Sequence, residues 1–221
     1  MSHETLLPRF YGLYEVQLED ECVWLMVQGN VLGGRAGVLQ RFDLKGSTHG
    51  RRASKKELSK GASVLKDLDF VFNGCSVQCL TAEASKTWQQ WVRCMESDSK
   101  WLAKHGLMDY SLLLGFSTCS LEEVKKPLSH VIRLELDPSS LGYLPLEVPN
   151  GHCLLLYAGI VDCLMPYTLK KRVENLICDI LLSGDISCQP PEKYARRFQD
   201  FVGRLASDDL ISFTLRLGSI M

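Results

Sequence analysis

No Cys-x-x-Cys pair occurs among the nine cysteines of this 221-residue chain, and none of its five histidines falls at ligand spacing beside them. That excludes the common zinc-ribbon and thioredoxin-type patterns. The cysteine count is odd and no secretion signal precedes it, which argues against a disulfide framework. Most of these cysteines read as small buried hydrophobes in a reducing compartment. Excess charge of one sign is also missing: 25 Lys+Arg against 26 Asp+Glu leave a net charge of -1. A nucleic-acid binder is more often basic throughout, so no nucleic acid is expected as a partner. Long apolar runs are absent too. The longest, Cys153–Val161, stops at Asp162, far short of the roughly 18–20 residues that span a bilayer. The opening MSHETLLPRF lacks a basic region followed by an apolar stretch, so no signal peptide is expected. These absences predict a cytoplasmic protein, at most peripherally associated with a membrane.

What is present is ordinary globular composition, 46% hydrophobic and 23% charged, enough for a sizeable core. Two apolar segments, Phe10–Val16 and Cys22–Val27, flank the charged turn Glu19-Asp20-Glu21 and predict a β-hairpin. A Gly-rich connection at 33–37 leads to a strand over Leu39–Leu44. Trp88, Trp91, Met95 and Leu102 recur at helical steps and predict one helix from about Thr81 to Lys104. The apolar runs Tyr110–Phe116 and Cys153–Val161 read as fully buried strands. The Ser-, Pro- and Gly-rich stretch between them, 117–151, predicts an irregular insertion. An amphipathic segment follows over 168–182, then a final helix over 192–205, and a tail over 206–221. The order of strands and helices is that of an α+β domain with one core.

Three aspartates stand at junctions where apolar strands become polar: Asp43, Asp109 and Asp162. A carboxylate at the end of a buried strand is costly unless it is paired or holds a metal. Each alone reads as a hydrogen-bonded turn residue. Together with the run RFDLKGSTHGRRASKKE they point to phosphoryl transfer, in which carboxylates hold Mg²⁺ and orient the nucleophile while Lys and Arg neutralise phosphate. Lys45-Gly46-Ser47-Thr48 gathers amides, hydroxyls and an ammonium in one turn, the ingredients of a phosphate nest. A second basic cluster, Lys170-Lys171-Arg172, follows Asp162. Two such clusters suit a polyanionic substrate on an anionic surface.

Several segments, in order, resemble the catalytic core of the phosphatidylinositol phosphate kinases: FDLKGST, RRASKKE, KDLDF, MDYSLLLG, GIVD, the basic triplet with Glu174, and YARRF. The resemblance runs over roughly 5–205 and implies an antiparallel sheet with flanking helices in a distant protein-kinase-like two-lobe fold. It also implies ATP and Mg²⁺ as cofactors and phosphoinositide lipids on an anionic membrane surface as partners. Asp162 matches the Mg²⁺-binding aspartate, Asp43 and Asp109 the other active-site carboxylates, and Lys45 a lysine close to the phosphates. Which of Asp43 and Asp109 serves as base stays open. Arg51 and Tyr110 match positions linked to the lipid headgroup. Lys171 and Arg172 match membrane-contacting residues of the specificity loop, and Glu174 matches the residue that favours phosphatidylinositol 4-phosphate.

The resemblance begins downstream of the family's Gly-rich loop and phosphate-pairing lysine, which implies an incomplete N-terminal lobe. The nucleotide hinge, Val27-Gln28-Gly29-Asn30, departs from the family's VMNN, and Ile177-Cys178 replaces a Trp-Lys pair in the specificity loop. Catalysis of phosphoryl transfer is mostly positioning and charge neutralisation, so each lost contact matters. The resulting expectation is a weak or inactive relative that localises or regulates type I phosphatidylinositol 4-phosphate 5-kinases at membranes. The alternative is an active lipid kinase making phosphatidylinositol 4,5-bisphosphate.

Overall fold

Strand β3, Val38–Leu44, turns Phe42 and Leu44 into the core and sends Arg41 and Asp43 to its other face, the period-2 alternation of a pleated strand. In the computed structural model, which describes residues 4–19, 21–32, 38–59, 64–72, 82–119, 144–148, 152–168 and 189–206, β3 lies in a five-stranded sheet. Its other members are β4 (Val64–Lys66), β6 (Ser111–Cys119), β7 (Leu144–Val148) and β8 (His152–Val161). The order is β4-β3-β6-β8-β7, antiparallel throughout except for the parallel β3–β4 pair. Of the three inner strands, β6 and β8 are buried on both faces, which is why they read as continuous apolar runs.

One face of this sheet carries Phe42, Leu44, Leu112, Leu114, Phe116, Leu156, Ala158 and Ile160, all buried. Against it lie two helices, α3 (Ala82–Lys104) and α4 (Pro191–Ala206). α3 buries Trp88, Trp91, Met95 and Leu102, as its spacing predicts, and α4 buries Tyr194, Phe198, Phe201, Val202 and Leu205. Each fully buried large apolar side chain stabilises by about 1.5–3 kcal/mol. Two short helices, α1 (Lys55–Leu58) and α2 (Asp67–Phe72), flank β4. The predicted α+β class is therefore the observed one.

The expectation of irregular structure over 117–151 is corrected at both ends. β6 continues to Cys119, and Leu144–Val148 pairs with β8 as an edge strand. An edge strand tolerates Pro145, because half of its backbone groups need no ladder partner. The amphipathic segment 168–182 lies outside the described residues apart from Thr168.

The chain enters the core at Leu6, whose carbonyl accepts from Ile160 N at 2.8 Å. Buried Asp98 of α3 holds this entry: it accepts from Leu6 N at 2.7 Å and Thr5 Oγ1 at 2.9 Å. Asp98→Ala strands the buried Leu6 amide and is expected to cost about 2–3 kcal/mol in urea denaturation. Burial raises the Asp98 carboxyl above its usual range, and its hydrogen bonds offset that only in part. Because the folded value lies above the unfolded one, the stability this group contributes is present at low pH and lost as pH rises. The alanine variant should therefore lose less stability than the parent as pH rises from about 4. An equal loss in both proteins would contradict this assignment.

β1 (Phe10–Leu18) and β2 (Glu21–Gln28) form the predicted antiparallel hairpin as a separate two-stranded sheet. Beyond it, Val31 and Leu32 descend onto the large sheet. A Cβ on Gly159 would lie 2.5 Å from Val31 Cβ, and one on Gly115 would lie 2.6 Å from Leu32 Cδ2. These two glycines let the segment after the hairpin seat directly on β6 and β8.

Candidate functional site

The pairing register brings the three junction aspartates to one end of the sheet. Leu44 stands opposite Leu112, and Ser111 opposite Val161. The end of β3, the start of β6 and the end of β8 therefore coincide, and with them Asp43–Lys45, Asp109 and Asp162. Asp109 has φ 65° and Asp162 φ 57°, both left-handed. Such a backbone costs about 1–3 kcal/mol in a non-glycine residue, although aspartate tolerates it better than most. A second small ladder over-determines it: β5 (Leu107–Met108) pairs with β9 (Met165–Pro166), and Tyr167 N donates to Gly106 O at 2.9 Å. Each aspartate sits at the kink where its chain leaves the large sheet for this ladder.

Lys45 Nζ lies 2.7 Å from Asp109 Oδ1. Lys45 is carried by a turn that packs tightly under α4: Gly46 has φ 68°, and a Cβ there would lie 2.9 Å from Phe201 Cβ. The amides of Lys45 and Gly46, expected to contribute to a phosphate nest, instead donate to Asp67 Oδ1 at 2.9 and 2.7 Å. Asp67 begins α2 and is buried. Its other oxygen accepts from Arg51 Nε at 2.7 Å, and Arg51 Nη2 reaches both the carboxylate and the carbonyl of Asp43. Burial works against the Arg51 charge, but these two carboxylates outweigh it and leave the guanidinium pKa raised.

The rest of the basic run is ordered by a capping box. Ser54 N donates to Glu57 Oε2 at 2.6 Å, and Glu57 N to Ser54 Oγ at 3.2 Å. Those bonds and Lys66 hold the Glu57 carboxyl down at about 2.

The structure separates the predicted site residues into three groups and one exception, Tyr110. Asp43, Lys45, Arg51, Asp109 and Asp162 come together at one sheet end. Val27 and Gln28 of the predicted hinge end β2 with exposed side chains. Lys171, Arg172 and Glu174 lie outside the described residues. Tyr110 requires a correction. It is fully buried, with its ring 4.8 Å from that of Tyr194 and 5.2 Å from that of Phe198, and burial pushes its hydroxyl pKa up. The tyrosine faces the core because it lies on the same face as Leu112 and Leu114. It does not reach outward, and Tyr194 fixes its carbonyl with a hydroxyl hydrogen bond. Asp67 was missed by the sequence reading; the sign that could have found it is an acidic residue opening a short helix within KDLDF.

Asp162 is exposed, and its carboxylate has no partner among the described residues. Mg²⁺ is commonly bound through one or two carboxylates together with substrate phosphates and water. An unengaged carboxylate at the same sheet end as Lys45 and Asp109 fits that donor set. Among the described residues no group of three or more His, Cys, Asp and Glu gathers for a metal, so phosphate oxygens would complete the shell.

The sequence profile of the phosphatidylinositol-4-phosphate 5-kinase family matches residues 1–140 and 142–205. The chain belongs to that family. Among its curated relatives, human phosphatidylinositol 4-phosphate 5-kinase type-1 beta is 31% identical over 230 aligned positions, covering 90% of this chain and 42% of the relative. The human type-1 alpha enzyme is 31% identical over 229 positions, with 90% and 40% covered. Rat phosphatidylinositol 5-phosphate 4-kinase type-2 alpha is 28% identical over 236 positions, with 91% and 57% covered. This family member thus spans about two-fifths of the length of the type-1 relatives. Among the described residues no helix is long and apolar enough to cross a membrane.

Proposed function

We propose that this chain binds phosphoinositide headgroups at anionic membranes and localises or regulates type I phosphatidylinositol 4-phosphate 5-kinases there, with weak phosphate transfer of its own or none. The hairpin β1–β2 carries the reading. Its paired strands present apolar side chains on both faces: Leu13, Trp24 and Met26 on one, and Tyr14, Leu18, Leu25 and Val27 on the other, all between 44% and 63% exposed. A lone hairpin is marginal in water, and strands apolar on both faces are those of a buried sheet. Apolar patches of this kind mark protein interfaces. A type I kinase is a fitting partner, because it carries related sequence over 90% of this chain. The site supports weak transfer as well: Lys45 and Arg51, the cations nearest the junction carboxylates, are both engaged by carboxylates of this chain. The test is co-sedimentation of a type I kinase with phosphatidylinositol 4-phosphate vesicles. Added chain should raise the bound fraction of the kinase, and no change would reject the scaffold reading.

A second reading is favoured by the assembly of Asp43, Lys45, Asp109 and Asp162 at one sheet end. In it, the chain transfers the γ-phosphate of ATP to the 5-hydroxyl of phosphatidylinositol 4-phosphate, giving the 4,5-bisphosphate and ADP. Asp43 or Asp109 takes the hydroxyl proton as the inositol oxygen bonds to phosphorus, and Lys45 neutralises phosphate charge. Asp162 would hold Mg²⁺, whose charge offsets that of the nucleotide phosphates. Lys171 and Arg172 would face the membrane, and Glu174 would favour the 4-phosphate lipid. Labelled phosphate transfer from ATP to phosphatidylinositol 4-phosphate, beside Asp162→Asn, decides between the two readings.

A further inference from the structure

The two cations of the site share a support that lies outside the residues matched to phosphate or lipid. Asp67 is 3% exposed and makes three charge-assisted hydrogen bonds. One oxygen takes both amides of the Lys45-Gly46 turn, and the other takes Arg51 Nε. Leu68 N, the next amide of α2, donates to Arg51 O at 2.9 Å, so the helix start grips Arg51 by backbone and side chain together. Arg51 then commits Nη2 to Asp43. The two N–H groups on Nη1 have no partner among the described residues. A guanidinium fixed along one edge in this way offers the other edge to an anion without first losing rotamer freedom.

We propose that Asp67 is a positioning residue: it sets the turn that carries Lys45 and aims the free edge of Arg51 at a phosphate of an inositol phosphate. The proposal rests on the phosphoinositide-binding reading above. The residue acts through Arg51 and through the turn carrying Lys45, and it touches no ligand itself. Its chemistry suits that task. A carboxylate accepts from several donors at once, whereas an asparagine in its place keeps the size but would turn an amide N–H against one of them.

Two measurements on the full chain test this. The first is affinity for soluble inositol 1,4-bisphosphate in the parent, Asp67→Asn, Arg51→Ala and the double variant, with near-ultraviolet circular dichroism confirming the fold. Asp67→Asn is expected to weaken binding about tenfold. In the Arg51→Ala background it should add almost nothing to the Arg51 share of the loss, since residues acting through one contact are not additive. Parental or tighter affinity in Asp67→Asn, or full additivity in the double variant, would overturn the proposal. The second measurement is the Arg51 Nε–H resonance in a proton–nitrogen correlation spectrum, assigned with Arg51→Lys. A carboxylate-bound Nε–H exchanges slowly, so the signal should be present in the parent and lost in Asp67→Asn. An Arg51 signal that is absent in the parent, or unchanged in the variant, overturns the positioning role. If the parent binds no inositol bisphosphate but shows the signal, the phosphoinositide reading fails and the structural half of the proposal, the Asp67 hold on Arg51, stands. Should Asp67→Asn not fold, Arg51→Lys replaces it, because a lysine keeps the charge and loses the Nε bond to Asp67. It should then show the same loss of affinity, and parental affinity would overturn the proposal.

Discussion

Trp24→Glu combined with Leu25→Glu is expected to weaken association with a type I phosphatidylinositol 4-phosphate 5-kinase by about 10²-fold or more. Consecutive residues of β2 point to opposite faces, so this pair places one charge on each side of the hairpin. Both side chains are half-exposed or more in the chain alone, at 60% and 50%, so the substitutions remove little packing from the core. Buried tryptophans are among the strongest contributors at interfaces, and a charge facing an apolar partner adds a desolvation cost. The measurement is equilibrium binding of the purified kinase. Unchanged affinity would show that the hairpin is not the contact. Reduced aggregation of the chain alone should accompany the effect, since two-sided apolar strands with open edges invite edge-to-edge pairing.

Phe42→Ala should reduce folding stability by about 3–5 kcal/mol, read as a shift in denaturation midpoint. Phe42 is fully buried and packs edge-on against Phe70 of α2 at 5.0 Å and against Phe116 of β6 at 5.8 Å. Emptying this position leaves a cavity between β3, β6 and α2, three elements that carry or support Asp43, Lys45 and Asp67. The effect should therefore extend beyond stability: inositol bisphosphate affinity should fall even in the fraction that remains folded. A loss under about 1 kcal/mol would mean that α2 is not held by this aromatic cluster.

The readable parts of the sequence were those whose physics is local. β6 and β8 announce themselves as apolar runs because both faces are buried, and α3 by the recurrence of Trp88, Trp91, Met95 and Leu102. Asp43, Asp109 and Asp162 could be picked out because a charge at the end of such a run needs a reason. β7 was hidden by Pro145 and by neighbours typical of loops; only pairing with β8 makes it a strand. Asp67 was hidden for a different reason. Its role depends on the chain folding back so that Arg51 and the Lys45 turn converge on the start of α2, a non-local event that spacing does not encode. Tyr110 illustrates the limit of carrying a role across by position. The residue beside a site carboxylate is here packed on Tyr194 and Phe198, inside the core.

The left-handed backbone at Asp109 and Asp162 was likewise not legible. It arises where two antiparallel chains leave one sheet and immediately form another, so each aspartate takes the turn that would more usually fall to glycine. That strain is located at the site and nowhere else among the non-glycine residues described except Glu19, in the hairpin turn.

On the proposed function, the chain brings phosphoinositide recognition and a partner surface, with little transfer of its own. The most direct test is labelled phosphate transfer from ATP to phosphatidylinositol 4-phosphate, and in parallel to phosphatidylinositol 5-phosphate, on vesicles. The chain alone is compared with its Asp162→Asn variant and with a type I kinase. The account predicts transfer by the chain at least about 10²-fold below the type I kinase, the scale on which single electrostatic contacts act in catalysis. Transfer at a rate comparable to the type I kinase and abolished by Asp162→Asn would contradict it and make the chain an enzyme in its own right.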